Sequence, residues 1–440
     1  MSLTAISFLC VYLGSMLWAV VKKPEAALYM YVFLAFLHPP STWWGADLGG
    51  IRWSLTTAAI ALVATLLHRD AMTNLTLKKY SFYLPLFAFI GWLVMGHLWA
   101  LSKTEQTYLI VLYTKYAAVL YIFSSCIKKE EHLSQILWVI VLGAFLLSLR
   151  TYFNYNSGRF EDFGSVVFDE SNTAALGFAV TVFFIVSLLF ISSPPKKIIL
   201  FLILVFIVNA FVATASRSGF LCLLAGGIIF VIYSPKKYKR KIIALACLSA
   251  VMLIFLSNAV FWSRINTISY FGASGVTEKG PGHVKHIDTG SSRVAIIKFQ
   301  WARFLDSPLG TGFRSTAILS PYYLPRNLLT RTKDGDYRRS SHNTLLSFVV
   351  DFGIPGGVFF LYYIAWYMGC VRNLKKMNDK KNISFAAVIT PALAASFVAL
   401  EVSGLFINYV KLELRFWLIA IMCAALKISS RTQEHAGHEK

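Results

Sequence analysis

The chain has 440 residues, of which 57% are hydrophobic and only 14% are charged, and this composition excludes a soluble globular protein. Its formal charge is +21, but the Lys and Arg residues are spread over many short segments between apolar runs. No DNA- or RNA-binding motif accompanies them, so a nucleic-acid partner is not expected. Contacts with anionic membrane lipids explain most of the charge, and we expect a multi-pass membrane protein.

Apolar segments recur along the chain, and a helix of about 20 apolar residues crosses the hydrocarbon core of a bilayer. Because lipid forces the backbone to satisfy its own hydrogen bonds, these apolar segments predict an all-α, polytopic transmembrane bundle of 12 or 13 spans. The predicted spans lie near residues 3–21, 25–38, 53–68, 82–100, 107–127, 133–152, 173–193, 198–213, 218–234, 242–261, 343–371, 384–406 and 413–428. The second and third are short, and the first is expected to be a retained helix because no basic stretch precedes it.

Positive charge falls in every second loop, which predicts that those loops face the cytoplasm. The clusters are Lys22 with Lys23, Arg69 with Lys78 and Lys79, Lys128 with Lys129, Lys196 with Lys197, residues 236–241 and the segment from Arg372 to Lys381. The other loops, including 153–172 and about 262–341, then face the outer side. We expect an N-terminal bundle over residues 1–261, a large outer-loop subdomain over 262–341, transmembrane helices over 342–428 and a disordered cytoplasmic tail over 429–440.

The large outer loop is itself basic, with 12 Lys and Arg against 5 Asp and Glu between Asn258 and Ser341. This surplus predicts an anionic partner. Within the loop, residues 291–307 have apolar side chains at helical spacing, at Val294, Ile297, Trp301 and Phe304, with basic residues between them. This pattern predicts an amphipathic helix at the boundary between membrane and water.

Arg217 lies in the sequence ATASRSGF, which separates two apolar segments on the outer side. An arginine so close to the hydrocarbon costs about 2.5–3.5 kcal/mol on insertion scales, so it should have a partner or a task. Ser216, Ser218 and Gly219 would let an anionic group approach the backbone, and a guanidinium can bind phosphate through two hydrogen bonds. The alternative is a simple anchor at a helix end.

His342 and Asn343 stand where the basic loop meets the next apolar run. A neutral imidazole titrates near working pH and can accept a proton from a hydroxyl, so His342 is a candidate general base. Asn343 could orient the imidazole or contact a substrate. A helix-capping or merely exposed histidine is the alternative.

Four arginines of the loop and one asparagine complete the candidate site. Arg293, Arg314, Arg338 and Arg339 could bind an anion, although each could equally be a solvated surface charge. Asn172 opens the seventh predicted span and could contact substrate or only cap that helix. The chain has no metal-binding HExxH, GxSxG or Walker motif and no CxxC pair, so neither a metal nor another cofactor is expected.

Three segments carry a resemblance to a known family: TASRSGFLCLLAG at 214–226, SSRVAIIKFQWARFLDSPLGTGF at 291–313 and SSHNTLLSFVVDFGIPGG at 340–357. Their order, together with the long loop before the His-Asn pair, resembles the superfamily of O-antigen ligases and polymerases of the bacterial envelope. The sequence HPPSTWWG at 38–45 is similar to the variant described as O-glycosylation ligase-like.

The resemblance implies a metal-independent, inverting glycosyltransferase in the bacterial inner membrane, with its active site on the periplasmic side. Its donor would be a glycan on undecaprenyl diphosphate, and its acceptor lipid A-core in the ligase branch, another lipid-linked glycan in the polymerase branch, or a protein hydroxyl in a third. The ligase pattern of catalytic residues maps to Arg217, Arg293 and His342. The tract RRSS before His342 departs from that pattern and leaves the branch open.

Two other classes of protein remain to be weighed. A transporter of an anionic lipid would also use arginines, but the chain has no obvious inverted repeat and few charges within its apolar runs. A scaffold of an envelope assembly system has no positive sign in the sequence. The leading expectation is therefore O-antigen ligase, with a polymerase as the alternative.

Overall fold

The computed structural model describes residues 2–68, 82–266, 277–280, 283–286, 290–331, 335–379 and 385–438. The helices of these parts are α1 (Leu3–Val21), α2 (Glu25–Phe36), α3 (Trp53–Leu67), α4 (Tyr83–Gly96), α5 (Lys103–Cys126), α6 (Glu130–Asn154), α7 (Ser171–Ile191), α8 (Pro194–Ala213), α9 (Arg217–Tyr233), α10 (Lys236–Leu256), α11 (Ala259–Asn266), α12 (Gly290–Asp306), α13 (Ser315–Tyr323), α14 (Thr344–Asp379), α15 (Phe385–Gly404) and α16 (Leu414–His438). Two antiparallel hairpins join β1 (Thr277–Gly280) to β2 (His283–His286) and β3 (Thr330–Arg331) to β4 (Tyr337–Arg338). Short 3₁₀ turns lie at Pro39–Ser41, Ala46–Leu48 and Arg326–Leu328.

The prediction of an all-α, multi-pass bundle is confirmed, because every apolar segment forms a helix. Seven helices of the described ranges are long and apolar enough to cross a membrane, namely α1, α5, α6, α7, α8, α14 and α15. The helices α3, α4 and α9 are apolar but shorter, and α2 has 12 residues. The predicted count of 12 or 13 therefore includes helices that do not reach the length of a full span.

The span predicted at 242–261 is broken. Helix α10 ends at Leu256, α11 begins at Ala259, and the two are bent by 110°. Asn258 causes the break, since its side-chain oxygen caps α11 by accepting from the backbone N–H of Phe261 at 2.8 Å. If α10 and α11 are counted together as one broken span, the described ranges contain eight candidate spans.

The centre of the bundle is formed by α7, α9 and α15, and glycines let these helices approach closely. A Cβ atom added at Gly219 would lie 2.5 Å from Ala175 Cβ, and one at Gly226 would lie 2.5 Å from the Phe183 ring. Small residues at such positions allow close packing of membrane helices without a hydrophobic driving force. The start of α9 is thereby pressed against the start of α7, which brings Arg217 close to Asn172.

The long helix α14 is kinked at Gly353, where φ is 69°. Gly310 packs directly on this kink, and a Cβ at Gly353 would lie 2.2 Å from the Leu309 carbonyl carbon. Ile354 N–H donates to Pro308 O at 2.8 Å, filling a hydrogen bond that the kink leaves open. The turn at 307–313 is therefore fixed to the bundle by its backbone.

The amphipathic helix predicted at 291–307 is present as α12. Ile296 and Phe299 pack with Leu324 in a small cluster of their own. Val294, Ile297, Trp301 and Leu305 lie on another face and are exposed, Trp301 by 55% and Leu305 by 63%. Phe304, predicted to belong to the apolar face, is only partly exposed, and its ring centroid lies 5.5 Å from that of Trp301 at an interplanar angle of 38°.

The last helix, α16, runs to His438 and includes most of the segment 429–440 for which the sequence predicts a disordered tail. Adding residues to an existing helix costs far less free energy than nucleating one, so the packed first half of α16 supports the polar second half.

Candidate functional site

The turn before α9 builds the first part of the site. Ala215 has a positive φ of 43°, and Ser216 caps α9 by accepting from Gly219 N–H at 3.1 Å. The same Ser216 hydroxyl donates to the side-chain oxygen of Asn172 at 2.8 Å. Arg217, the first residue of α9, is partly buried beside this turn.

Asn172 receives a second hydrogen bond, from an arginine that the sequence analysis missed. Arg159, in the loop between α6 and α7, donates to the Asn172 side-chain oxygen at 2.9 Å and to Thr214 O at 3.2 Å. The helix cap is Glu170, so the interpretation of Asn172 as an N-cap is wrong. Asn172 instead joins the Arg159 guanidinium to the turn that carries Arg217.

A third arginine, Arg264 on α11, lies near Arg159, as Arg217 does. The bend after Leu256 directs α11 toward the loop, and the Asn258 amide donates to the Tyr155 hydroxyl at 2.7 Å. Burial lowers the pKa of Arg159, and so do the positive charges of Arg264 and Arg217, while Glu161 and Glu170 act in the opposite direction. We call Arg159, Arg217 and Arg264 the arginine cluster.

Acidic side chains also lie close to the arginine cluster. Glu161 lies 3.4 Å from Arg159, but the Glu161 side chain is 65% exposed, so water screens the pair. Guanidinium groups that lie near one another repel, and a bound anion offsets this repulsion. The arrangement is suited to a phosphate-bearing ligand.

The His-Asn segment is fixed at the start of α14. Asn343 caps this helix, since its side-chain oxygen accepts from Leu346 N–H at 2.9 Å and its amide nitrogen donates to Leu405 O at 3.2 Å. Ser341 is buried and its hydroxyl bonds both the N–H and the C=O of Asn343. The backbone on both sides of His342 is thereby fixed, and His342 itself is partly buried.

The structure brings the His342 segment and the arginine cluster near each other through the segment 405–413, between α15 and α16. Thr344 donates its hydroxyl to Ile407 O at 2.7 Å, and two residues later the Tyr409 hydroxyl lies 3.5 Å from Asn172 O. The partners of Thr344 and Asn172 therefore lie two residues apart in one short segment. Neither Tyr409 nor this segment was singled out by the sequence analysis.

The basic residues of the outer loop have contacts elsewhere. Arg314 donates to Glu105 at 2.6 Å, and its backbone N–H binds the buried Asp351 carboxylate at 3.1 Å. Arg338 pairs with Asp336 at 2.7 Å, and Arg339 donates to Ser320 and Thr330. Arg293 lies in the first turn of α12, and its side chain lies outside the described residues.

Among the residues that the structure describes, no group of three or more His, Cys, Asp or Glu side chains is arranged to hold a metal ion. The polar groups that converge here are guanidinium, amide and hydroxyl groups, which bind phosphate oxygens directly.

The family model described as O-antigen ligase matches residues 202–361, from the middle of α8 to the middle of α14. Over these residues the chain is similar to the O-antigen ligase family. The matched part of the chain contains Arg217, Arg264, Arg293 and His342, whereas Arg159 and Asn172 precede it. No curated protein matches the chain. This similarity supports a function of the O-antigen ligase and polymerase type in general.

Signals for the missed residues are present in the sequence in retrospect. Arg159 is a basic residue in a loop assigned to the outer side, where Lys and Arg are disfavoured. Arg264 follows Ser257-Asn258, a helix-capping pair within an apolar run. The sequence marks both residues as unusual, but only the fold shows that Arg159 lies near Arg217 and Arg264.

Proposed function

We propose that this protein is a glycosyltransferase of the bacterial inner membrane whose active site faces the periplasm. It transfers a polysaccharide from undecaprenyl diphosphate to an acceptor hydroxyl. In the leading form of the proposal the protein is an O-antigen ligase and the acceptor is lipid A-core. The observation that carries the proposal is the arginine cluster, which is linked by hydrogen bonds and short segments to the start of α14 beside His342.

The arginine cluster would bind the diphosphate of the donor. Each guanidinium can donate two parallel hydrogen bonds to a phosphate, and such charge-assisted bonds contribute about 1.5–3 kcal/mol each. As the glycosidic bond breaks, negative charge develops on the departing phosphate oxygen. Donors already fixed around that oxygen stabilise the transition state more than the bound substrate, and this difference accelerates the reaction.

His342 would act as the general base. Its imidazole takes the proton of the acceptor hydroxyl while that oxygen forms a bond to the anomeric carbon. The bond from this carbon to the diphosphate breaks, and undecaprenyl diphosphate leaves with the electron pair. A single displacement of this kind inverts the anomeric centre, and the arginines supply the neutralising charge that a metal ion supplies in other transferases.

An acceptor experiment tests the proposal and separates its branches. The purified protein in lipid nanodiscs is incubated with glycan-linked undecaprenyl diphosphate, either with lipid A-core or without an added acceptor. A glycan–lipid A product that requires lipid A-core supports the ligase. A ladder of longer glycans formed without lipid A selects the polymerase, and glycosylation of an added protein selects the third branch.

A transport assay provides the contrary outcome. If no acceptor receives glycan, but the intact lipid-linked glycan crosses the bilayer of proteoliposomes in a protein-dependent manner, the protein is a transporter and the proposed transferase function is wrong. The fate of the glycan is measured together with the released undecaprenyl diphosphate. Release of free glycan by hydrolysis, without transfer to an acceptor, would contradict the proposal.

A further inference from the structure

The segment 405–413, between α15 and α16, is the connection between the two halves of the candidate site. On one side, Leu405 O accepts from the Asn343 amide at 3.2 Å and Ile407 O accepts from the Thr344 hydroxyl at 2.7 Å. The Thr344 hydroxyl also accepts from Tyr409 N–H at 2.9 Å. One hydroxyl group therefore holds two backbone groups of the segment against the start of α14.

On the other side, the same segment reaches α7. The Tyr409 side chain is buried, its hydroxyl shares a 2.9 Å hydrogen bond with Ser403, and it lies 3.5 Å from Asn172 O. Asn172 in turn binds Arg159 and Ser216. Thr344 and Tyr409 thus connect the residue pair that follows His342 with the residue that orders the arginine cluster.

The close approach depends on Gly404. A Cβ atom at this position would lie 3.0 Å from the Thr344 hydroxyl oxygen, so a side chain there would press on the atom that makes both hydrogen bonds. The end of α15 and the start of α14 are consequently held together at a distance that the hydroxyl itself sets.

A buried ion pair anchors the segment from behind. Arg415 is 3% exposed, lies 3.6 Å from Glu401 and donates to Tyr409 O at 2.9 Å. Its guanidinium faces three rings of α14, those of Phe348, Phe360 and Tyr363, at 5.4–5.8 Å. Charged residues buried in a membrane bundle are costly and usually have a specific task.

The segment is also held from α5. The Tyr113 hydroxyl donates to Val410 O at 3.0 Å, and the Tyr116 hydroxyl donates to Lys411 O. Replacing a buried ion pair with apolar residues often costs no stability. The Arg415–Glu401 pair is therefore better explained by its role in holding the segment 405–413 in place than by a contribution to stability.

We propose that Thr344, Tyr409 and Arg415 are positioning residues that hold His342 at a fixed separation from the arginine cluster. This inference rests on the proposed function of His342 and of the cluster. A general base must lie within about 2.6–3.2 Å of the proton that it accepts, and a displacement of about 1 Å can lower the rate about 100-fold. The three residues control this separation without touching the reacting atoms.

The main variant is Thr344→Val, which keeps the side-chain shape and removes the hydroxyl. We expect kcat to fall about 100-fold, while KM for the lipid-linked donor changes by less than about twofold, because the arginine cluster stays in place. Thr344→Ser restores the hydroxyl and should restore kcat. The matched control is Thr181→Val, which removes another buried threonine hydroxyl that bonds only within its own helix, to Gly177 O.

A milder variant covers the case in which Thr344→Val does not fold. Tyr409→Phe removes only the hydroxyl that contacts Ser403 and Asn172, and it should lower kcat with KM unchanged. Its matched control is Tyr12→Phe, which removes a buried hydroxyl paired with Thr57 in a contact between α1 and α3. A loss of kcat as large in the controls as in these variants would show that the effect is a general loss of packing.

A distance measurement separates this inference from the proposed function. In a cysteine-free background, spin labels at the exposed positions Ser340 and Asp169 report the separation between the His342 segment and the start of α7. We expect a narrow distance distribution that broadens in Thr344→Val and Tyr409→Phe but not in the two controls. An unchanged distance distribution overturns the positioning role of Thr344 and Tyr409. If the distribution broadens but the unmodified protein never transfers glycan, the positioning role is supported and only the proposed function is contradicted.

Discussion

Arg159 and Arg217 share one hydrogen-bonded turn, although the first lies in a loop before α7 and the second at the start of α9. Arg159 donates to Asn172, and Asn172 also accepts from Ser216, the residue directly before Arg217. Because an arginine presents a planar set of donors and a lysine a single point of charge, the two residue types differ most where a diphosphate must be held in one orientation. An arginine-to-lysine substitution therefore distinguishes an arginine that binds the diphosphate from one that is only a solvated charge.

The first prediction concerns these arginines. Arg217→Lys and Arg159→Lys should each lower kcat/KM about tenfold or more, since each loses part of a charge-assisted contact of about 1.5–3 kcal/mol. Arg326→Lys is the control, because Arg326 is exposed and lies over the Tyr337 ring. The measurement is the initial rate of glycan transfer, with and without EDTA.

Two results would contradict this prediction. If Arg217→Lys and Arg159→Lys transfer glycan as fast as Arg326→Lys, the arginines are anchors that need only a long cationic stem. If EDTA abolishes transfer by the unmodified protein, a metal ion performs the neutralisation assigned to the cluster.

The second prediction concerns His342. His342→Ala should reduce transfer about 10²–10⁴-fold, which is the usual contribution of a general base, while leaving membrane insertion and thermal unfolding near those of the unmodified protein. Asn343→Ala is an informative comparison, since Asn343 caps α14 and its loss should lower stability by about 1 kcal/mol. Rapid transfer by His342→Ala would remove the base from the mechanism.

At the scale of elements, α12 presents two distinct faces. One packs through Ile296 and Phe299 on Leu324, and the other exposes Val294, Ile297 and Trp301. An exposed apolar stripe with Lys and Arg beside it is typical of a helix that lies in the headgroup region of an anionic membrane. The predicted helix and its apolar stripe are both present, while its contact with lipid stays a prediction.

The third prediction tests that contact. A fluorescent label at position 301 should be quenched by brominated lipids, and a label at Asp306, on the polar side of the same helix, should be quenched by aqueous iodide instead. The protein is studied in nanodiscs with and without anionic lipid, and anionic lipid should increase the quenching at position 301. Equal access of iodide to both positions would mean that α12 does not lie in the membrane.

At the scale of the whole molecule, the fold class was accessible from the sequence because lipid leaves the backbone few alternatives. The start of α9 at Arg217 lies one residue from the predicted start at 218, whereas the α10–α11 break was not predicted because it depends on the cap at Asn258. The predicted Arg217 and His342 stand in parts of the fold that contacts bring near each other. Arg159, Arg264 and Tyr409 could not be selected, because their importance comes from neighbours that are distant in sequence.

The fourth prediction concerns topology. The loops that meet around Asn172, Arg217 and Thr344 belong to the set that the charge pattern assigns to the outer side. In a cysteine-free background, a cysteine at Ser340 should react with a membrane-impermeant reagent added to the periplasm, and a cysteine at Lys237 should not. Reaction of position 237 alone would reverse the orientation and assign the site to the cytoplasm.

The contact between Gly310 and the kink at Gly353 has a consequence for how the chain tolerates changes in length. The Asp351 carboxylate accepts from Ser315 at 2.8 Å and from Thr316, while Asn343 fixes the other end of the same stretch at the cap of α14. Insertions between these two fixed points lengthen a tethered loop, and doubling such a loop costs only about 0.6 kcal/mol of closure entropy. A single methyl group at Gly310 or Gly353, by contrast, meets backbone that has no room to move. The outer loop can therefore accept many added residues at its distal end and almost no added atoms where it joins the bundle.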